Sequence, residues 1–328
     1  MRIGAACKWQ NSDGTQNKLA TFKTTTAKYI TTLSKKEKLA YLENLLDYNM
    51  KSLKLQIELV GSLPQHLRMW RLGSEILPLR THPAAKDFYD SNETKQFLKD
   101  HLANCGKLAR KNDVRLSFHP GQFVVLGSEK AHVREASLQE LKFHCDVFSM
   151  MGYKGWHDHN VCVNVHVGLK NPKIEEMRAL LQSCENIKNF VTLENDEFSW
   201  GAKQIVETFG DIVPVVLDVH HYLIMQERQI LAESNLSKYI QQTWKGTRPK
   251  LHLSMSDKTL TNGKHVPIKK MLASGIKKTA IRVHSDDPWN TKKIDYVKTF
   301  LPYYDIMWEG KDKNIGSANI AKHIGLVN

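Results

Sequence analysis

No stretch of the 328 residues approaches 18 uncharged apolar residues, and the apolar run at the start, MRIGAACKW, is too short for a secretory signal. Neither a membrane-spanning helix nor a leader is expected, and the expected location is intracellular, in cytoplasm or nucleoid. Cysteine is scarce: Cys7, Cys105, Cys145, Cys162 and Cys184 make an odd number with no C-x-x-C pair, which suits buried thiols in a reducing compartment. Neither G-x-G-x-x-G nor G-x-x-x-x-G-K-[ST] follows an apolar run, against dinucleotide and P-loop chemistry. No linker, repeat or low-complexity tract divides the chain, so one domain over residues 1–328 is expected. Acid is also in deficit. Asp plus Glu number 34 against 47 Lys plus Arg, a net charge of +13, and such a surface attracts polyanions. Nucleic acid is the first partner to test, although lysine runs such as Lys35-Lys36-Glu37-Lys38 and Lys292-Lys293 also make up ordinary solvated helix faces.

What the chain does have is alternation. Short apolar runs occur at Arg2 to Ala6, Met69 to Leu72, Val114 to Phe118, Val161 to Val165, Phe190 to Leu193, Val213 to Leu217, Leu251 to Leu253, Thr279 to Val283 and Asp305 to Trp308. Between them lie segments of helical spacing: Lys35 to Leu59, Thr94 to Lys111, Ala136 to Met151, Ile174 to Ile187 and Ile224 to Trp244. Unbroken apolar strands alternating with long helices give βα units around a parallel sheet. With this many units a (β/α)8 TIM barrel is favoured over an open doubly wound sheet, and nine candidate strands are one more than closure needs. Residues 255–278, polar and then Lys-rich, read as a long excursion from the barrel.

Barrel enzymes place their chemistry at the carboxyl ends of the strands, and the residues found there are not random. RLSF ends in His119, VCVNV in His166, FVTL in Glu194, VVL in Asp218 with His221 three residues on, KLH in His252, TAIRV in His284 and DIMW in Glu309. The loop after the second strand adds His82, in RLGSEILPLRTH. A lone histidine after a strand is usually a hydrogen-bonded loop residue. Nine imidazoles and carboxylates at strand ends are the ligand set for Zn²⁺, Mn²⁺ or Fe²⁺, too many for one ion and suited to two or three. In a basic protein such a cluster points to phosphate-ester hydrolysis. His157 and His159 read as surface residues, His220 should point away from Asp218 and His221, and His265 competes with His284. Lys250, two residues before His252 and so on the same side of the strand, either pairs with an acid or loses its charge through carbamylation by CO₂.

The motifs RIGAAC, RLGSEILPLRTH, FHPGQF, NVHVG, LEND, LDVHH, KLH, RVHSDD and MWEGKDK resemble, in order and through most of the chain, the UV damage endonuclease family, related to the barrel endonucleases that include endonuclease IV. The resemblance implies a metal-dependent repair endonuclease that nicks double-stranded DNA immediately 5′ to ultraviolet photoproducts, cyclobutane dimers and 6-4 products. It implies two or three divalent ions, Mn²⁺ first with Zn²⁺ or Mg²⁺ as alternatives, on His82, His119, His166, Glu194, Asp218, His221, His252, His284 and Glu309. Catalytic roles fall to Glu194, Asp218, Glu309 and a carboxylated Lys250, and DNA or lesion contacts to Gln122, Phe123, Trp9 and Arg71. In the family a Gln-Tyr pair enters the duplex at the lesion; here the pair is Gln122-Phe123, and stacking needs only the aromatic face. Ala5 and Trp9 depart from the family's usual Tyr and Asn beside the lesion pocket, and Trp9 either stacks on a flipped base or belongs to the core. Lys258, Lys264, Lys269 and Lys270 of the excursion are available to phosphate. A monomer is expected. The competing functions are an abasic-site endonuclease of the endonuclease IV type, a metal-dependent sugar isomerase or epimerase, and a non-catalytic DNA-binding protein.

Overall fold

Eight four- or five-residue strands carry the architecture: β1 (Ile3–Ala6), β2 (Met69–Leu72), β3 (Arg115–Phe118), β4 (Cys162–His166), β5 (Val191–Glu194), β6 (Val215–Asp218), β7 (Lys250–Leu253) and β8 (Asp305–Trp308). They pair in parallel in sequence order, and β8 returns to β1 through Ile3 opposite Ile306 to close the barrel. The computed structural model describes residues 1–327. Nearly every strand residue is buried: inward side chains pack the barrel's interior and outward ones meet the surrounding helices, which is why the runs are apolar without alternation.

Local sequence sets the helices. Ser34 starts Lys35–Gly61 with a capping box, its hydroxyl accepting from the Glu37 amide while the Glu37 carboxylate accepts from the Ser34 amide. Asn92–Lys111 and Ala131–Met150 follow the expected spacing. Two expected helices are broken. Ile174 to Ile187 divides into Ile174–Leu181 and Glu185–Phe190. Ile224 to Trp244 divides where Glu227 turns left-handed, and Ser234 caps a new helix at Asn235–Thr243.

The ninth candidate strand is a correction. Thr279 to Ile281 belongs to a single helical turn, Lys278–Ile281, whose one buried residue is Ile281, while Val283 beyond it is 47% exposed. β7 and β8 already pair along four residues each, leaving no edge for another strand. His284 therefore arrives from the β7–β8 connection, where it forms an isolated antiparallel bridge with Ser256. The excursion packs on a small apolar cluster of its own, with Ile224, Met271 and Ile281 at its centre.

At the amino ends of the strands a buried ion network fills the barrel floor. Asp305 accepts from Arg115 Nη1 at 2.8 Å and Arg248 Nε at 2.7 Å, and from the Arg2 backbone amide at 2.8 Å. Burial raises the Asp305 pKa, but the two guanidinium groups outweigh it and hold the carboxyl below its usual range.

Candidate metal centre and nucleic-acid cleft

The opposite, carboxyl ends of the strands carry a different chemistry. His166, Glu194 and Asp218 are the last residues of β4, β5 and β6, and His252 sits within β7. Their ligand atoms fall into three groups, each within 4.8 Å: His119, Glu194 and His252; His166, Glu194 and His221; Asp218, His252 and Glu309. Glu194 and His252 each belong to two groups, so the three positions adjoin.

Hydrogen bonds aim these side chains. A carbonyl oxygen can only accept, so the contacts of His119 Nδ1 with Pro120 O, His221 Nδ1 with Asn195 O and His284 Nδ1 with Glu309 O, at 3.0 to 3.2 Å, put the proton on Nδ1. In the neutral ring each leaves Nε2 as a lone pair, the arrangement that orients metal-binding imidazoles. Asp218 spends Oδ1 on the amides of His220 and His221, both at 2.7 Å, capping helix Val219–Gln226. Its Oδ2 remains. Among the described residues, Asp218 Oδ2, His166 Nδ1 and His252 Nε2 are buried with no hydrogen-bond partner. Buried lone pairs of neutral imidazole and carboxylate left in this way are what a divalent cation satisfies, and the residues fit such ions.

The electrostatics agree. Burial opposes ionisation of Glu194, yet the imidazoles of His252, His166 and His119 hold it well below its ordinary value. His119 is pushed down to about 4, chiefly by burial. Burial also opposes charge on His221, but Asp218, Glu194 and Glu197 raise it to about 9. Asp218 itself is raised by burial and by the neighbouring carboxylates of Glu194 and Glu309, against the pull of His221. One site thus concentrates negative charge that calls for cations.

Lys250 is wholly buried inside the barrel, and its Nζ has no hydrogen-bond partner among the described residues. The acid opposite it in register, Asp305, is committed to Arg115 and Arg248, so the expectation of a simple ion pair fails. Burial lowers its pKa, favouring the neutral amine.

His82 stands apart from these residues. It is exposed and joins none of the three groups. Its Nδ1 accepts the Ala84 amide at 3.1 Å, capping the turn Pro83–Ala85. Of the two competitors, His284 lines the cleft above the ligand groups, whereas His265 is exposed and meets Asn290 Oδ1 at 3.2 Å. His157 and His159 are exposed. His220 is buried on the far side, bonded to Ile281 O at 3.1 Å.

The ligand groups open into a cleft of about 580 Å³ lined by Arg71, His119, Gln122, His166, His221 and Glu309, among others. Arg71 is largely buried there and pairs with Glu309, so it acts on the cluster rather than on an outer surface. At the rim, Val124 N donates to Gly121 O at 3.1 Å, closing a β-turn with Gln122 and Phe123 at its two central positions. Val124 and Leu126 are buried and anchor the turn, while Phe123 is 66% exposed. Trp9 is half-buried and lies against Trp70, ring centroids 5.8 Å apart, which favours its reading as a core residue.

Several positioning residues escaped the sequence reading. The Asn164 amide donates to Glu194 and its carbonyl accepts from Thr192 at 2.9 Å. Its place two residues before His166, hence on the same side of β4, was the available signal. Asn195 brackets the Asp218 backbone with bonds of 2.9 and 3.0 Å. Glu197 lies 3.7 Å from His221 and 3.0 Å from Arg282.

A model of the UV-endonuclease UvdE family matches residues 1–322. A protein of Acanthamoeba polyphaga mimivirus is 33% identical over 207 residues, 61% of this chain and 61% of that one. The UV-damage endonuclease of Schizosaccharomyces pombe is 28% identical over 276 residues, 80% of this chain and 41% of that protein. The chain thus spans less than two thirds of the length of either relative. The crystal structure of SacUVDE has the same fold, with a TM-score of 0.75 and 22% identity over 100% of both chains. With the family match running from the first strand past the last, the chain belongs to the UV-endonuclease UvdE family.

Proposed function

We propose that the protein is a metal-dependent DNA repair endonuclease, acting as a monomer, that nicks double-stranded DNA immediately 5′ to cyclobutane dimers and 6-4 photoproducts. One observation carries the reading: three ligand groups that overlap through Glu194 and His252 lie beneath an exposed Gln122-Phe123 turn. A sugar isomerase would need the ligands without the exposed pair.

His119, His166, Glu194, Asp218, His221, His252, His284 and Glu309 would hold two or three divalent ions, Mn²⁺ first and Zn²⁺ or Mg²⁺ as alternatives. Bound ions of this kind supply Lewis-acid polarisation of the phosphodiester and offset charge on its entering and leaving oxygens. The protein's own groups prepare the site. Asn164 fixes the Glu194 carboxylate, Arg71 fixes Glu309, and backbone carbonyls set the tautomers of His119, His221 and His284. The Lys250 amine, unpartnered and buried, would attack CO₂ to give a carbamate with release of a proton, exchanging a neutral amine for an anionic ligand.

Gln122 and Phe123 would fill the base stack while the lesion turns towards the cleft, since an aromatic face stacks on any base. The positive surface would attract the phosphate backbone. Two end-labelled duplexes, one carrying a thymine dimer and one an abasic site, test the reading with Mn²⁺ present. The dimer duplex is expected to be cut at the 5′ side with a 3′-hydroxyl. Exclusive cutting of the abasic duplex would replace the proposal with an endonuclease IV type of activity.

A further inference from the structure

A second cavity, of about 330 Å³, lies under the excursion on the far side of helix Val219–Gln226, and none of the residues lining it lines the cleft. Its lining includes a buried lysine. Lys293 Nζ lies 2.7 Å from His220 Nδ1, and His220 Nε2 lies 3.1 Å from the Ile281 carbonyl oxygen. The carbonyl accepts, so Nε2 carries the proton and Nδ1 accepts from Lys293. This is the only hydrogen bond of the Lys293 side chain among the described residues, although the residue is 91% buried by its 9% exposure. In the charged form, two of its three ammonium N–H groups are left to other partners. A second, independent group points the same way: Thr261 Oγ1 lines this cavity and is buried with no hydrogen-bond partner.

Much of the remaining wall is apolar, with Ser256 and Asn290 among its half-buried polar groups. Met255 and Met271 are buried, and the Trp289 ring is fixed by its Nε1 bond to Ser256 O at 3.0 Å. Polar, exposed groups, His265 and Arg228 among them, stand at the mouth. The one acid in the lining, Glu227, faces Lys278 Nζ at 4.0 Å. An oxyanion entering here has a buried lysine and a buried hydroxyl among the lining groups, and the apolar surface of Met255, Val266, Ile268 and Met271 for its body.

We propose that this cavity is a binding site for a small amphipathic oxyanion, a carboxylate or phosphate monoester on a one-ring or short aliphatic body, with Lys293 and Thr261 taking the anionic head. The size suits such a ligand, since the cavity is at the low end of the range for small-molecule sites. Burial brings the Lys293 amine down to about 7 even in the field of Asp218, and a bound anion would restore its charged form.

Titration of the intact, metal-loaded protein with benzoate, phenyl phosphate and uncharged benzyl alcohol, followed by calorimetry, tests this. At least one anion is expected to bind saturably and more tightly than benzyl alcohol, and Lys293→Met to weaken it about tenfold or more, as for loss of a buried charged hydrogen bond. Benzoate against phenyl phosphate identifies which head group is preferred. Thr261→Val, which leaves Lys293 in place, is expected to weaken the same anion about threefold or more and serves if Lys293→Met does not fold. Anion affinity unchanged in either folded variant places binding elsewhere, at the ligand cleft included, and overturns the proposal. So does the absence of saturable binding by both anions. None of these outcomes depends on cutting of DNA, so the two proposals fail separately.

Discussion

Among single residues, Glu194 and Asn164 show what the strand pattern can and cannot reveal. Glu194 was legible because a carboxylate at the end of an apolar run has no place in a core. Asn164 was not, because its role depends on Glu194 and Thr192 of the neighbouring strand. His82 was read from its motif position alone, and in the structure its Nδ1 accepts the Ala84 amide of a local turn. Replacing Asn164 with Leu removes the donor that orients Glu194, and is expected to lower metal affinity or cutting about 10–100-fold. Metal titration of the variant checks this, and wild-type affinity would mean that Glu194 needs no such support. For the rim turn, changing Gln122 and Phe123 together to Ala is expected to reduce cutting at a dimer about fivefold or more, from the loss of one stacked base contact. The exposure of Phe123 predicts little change in unfolding free energy, within about 0.5 kcal/mol. Undiminished cutting would remove the stacking role.

Strands and helices were read well where burial is continuous and poorly where a segment is short. The eight barrel strands are buried almost throughout, but Thr279 to Val283 is equally consistent with one helical turn that buries Ile281. Only closure of the barrel, a nonlocal event, decides between them. The floor network is another nonlocal feature, linking the starts of β3 and β8 to Arg248. Asp305→Asn leaves Arg115 buried without its counter-charge and is expected to cost about 3–5 kcal/mol in urea unfolding. The pH dependence follows from the depressed pKa of Asp305. Its contribution is fully present above the unfolded value of about 3.9 and is lost as pH falls through the lower folded value. Wild type is therefore expected to lose its advantage over the Asn variant only under acid. A constant difference from pH 7 down to pH 2 would contradict this assignment.

At the level of the whole molecule, the barrel separates two kinds of charge. Asp305 is matched by arginines at the floor, whereas Glu194, Asp218 and Glu309 converge at the mouth, with Arg71 and imidazoles for company. That imbalance predicts that chelation destabilises the fold. EDTA-treated protein is expected to melt at a lower temperature, and Mn²⁺ at a hundred times its dissociation constant to restore about 2.7 kcal/mol. An unchanged melting curve would argue against resident ions. On the proposed reading, the net charge of +13 would supply attraction to DNA without sequence information, and selectivity would come from the cleft. The central claim is that the clustered ligands cut DNA at ultraviolet lesions. Supercoiled plasmid, irradiated or not, incubated with the Mn²⁺-loaded protein and with Glu194→Gln, tests it most directly. Nicking of the irradiated plasmid alone, absent in the variant, is the predicted result; equal nicking of both plasmids, or full activity in Glu194→Gln, would contradict it.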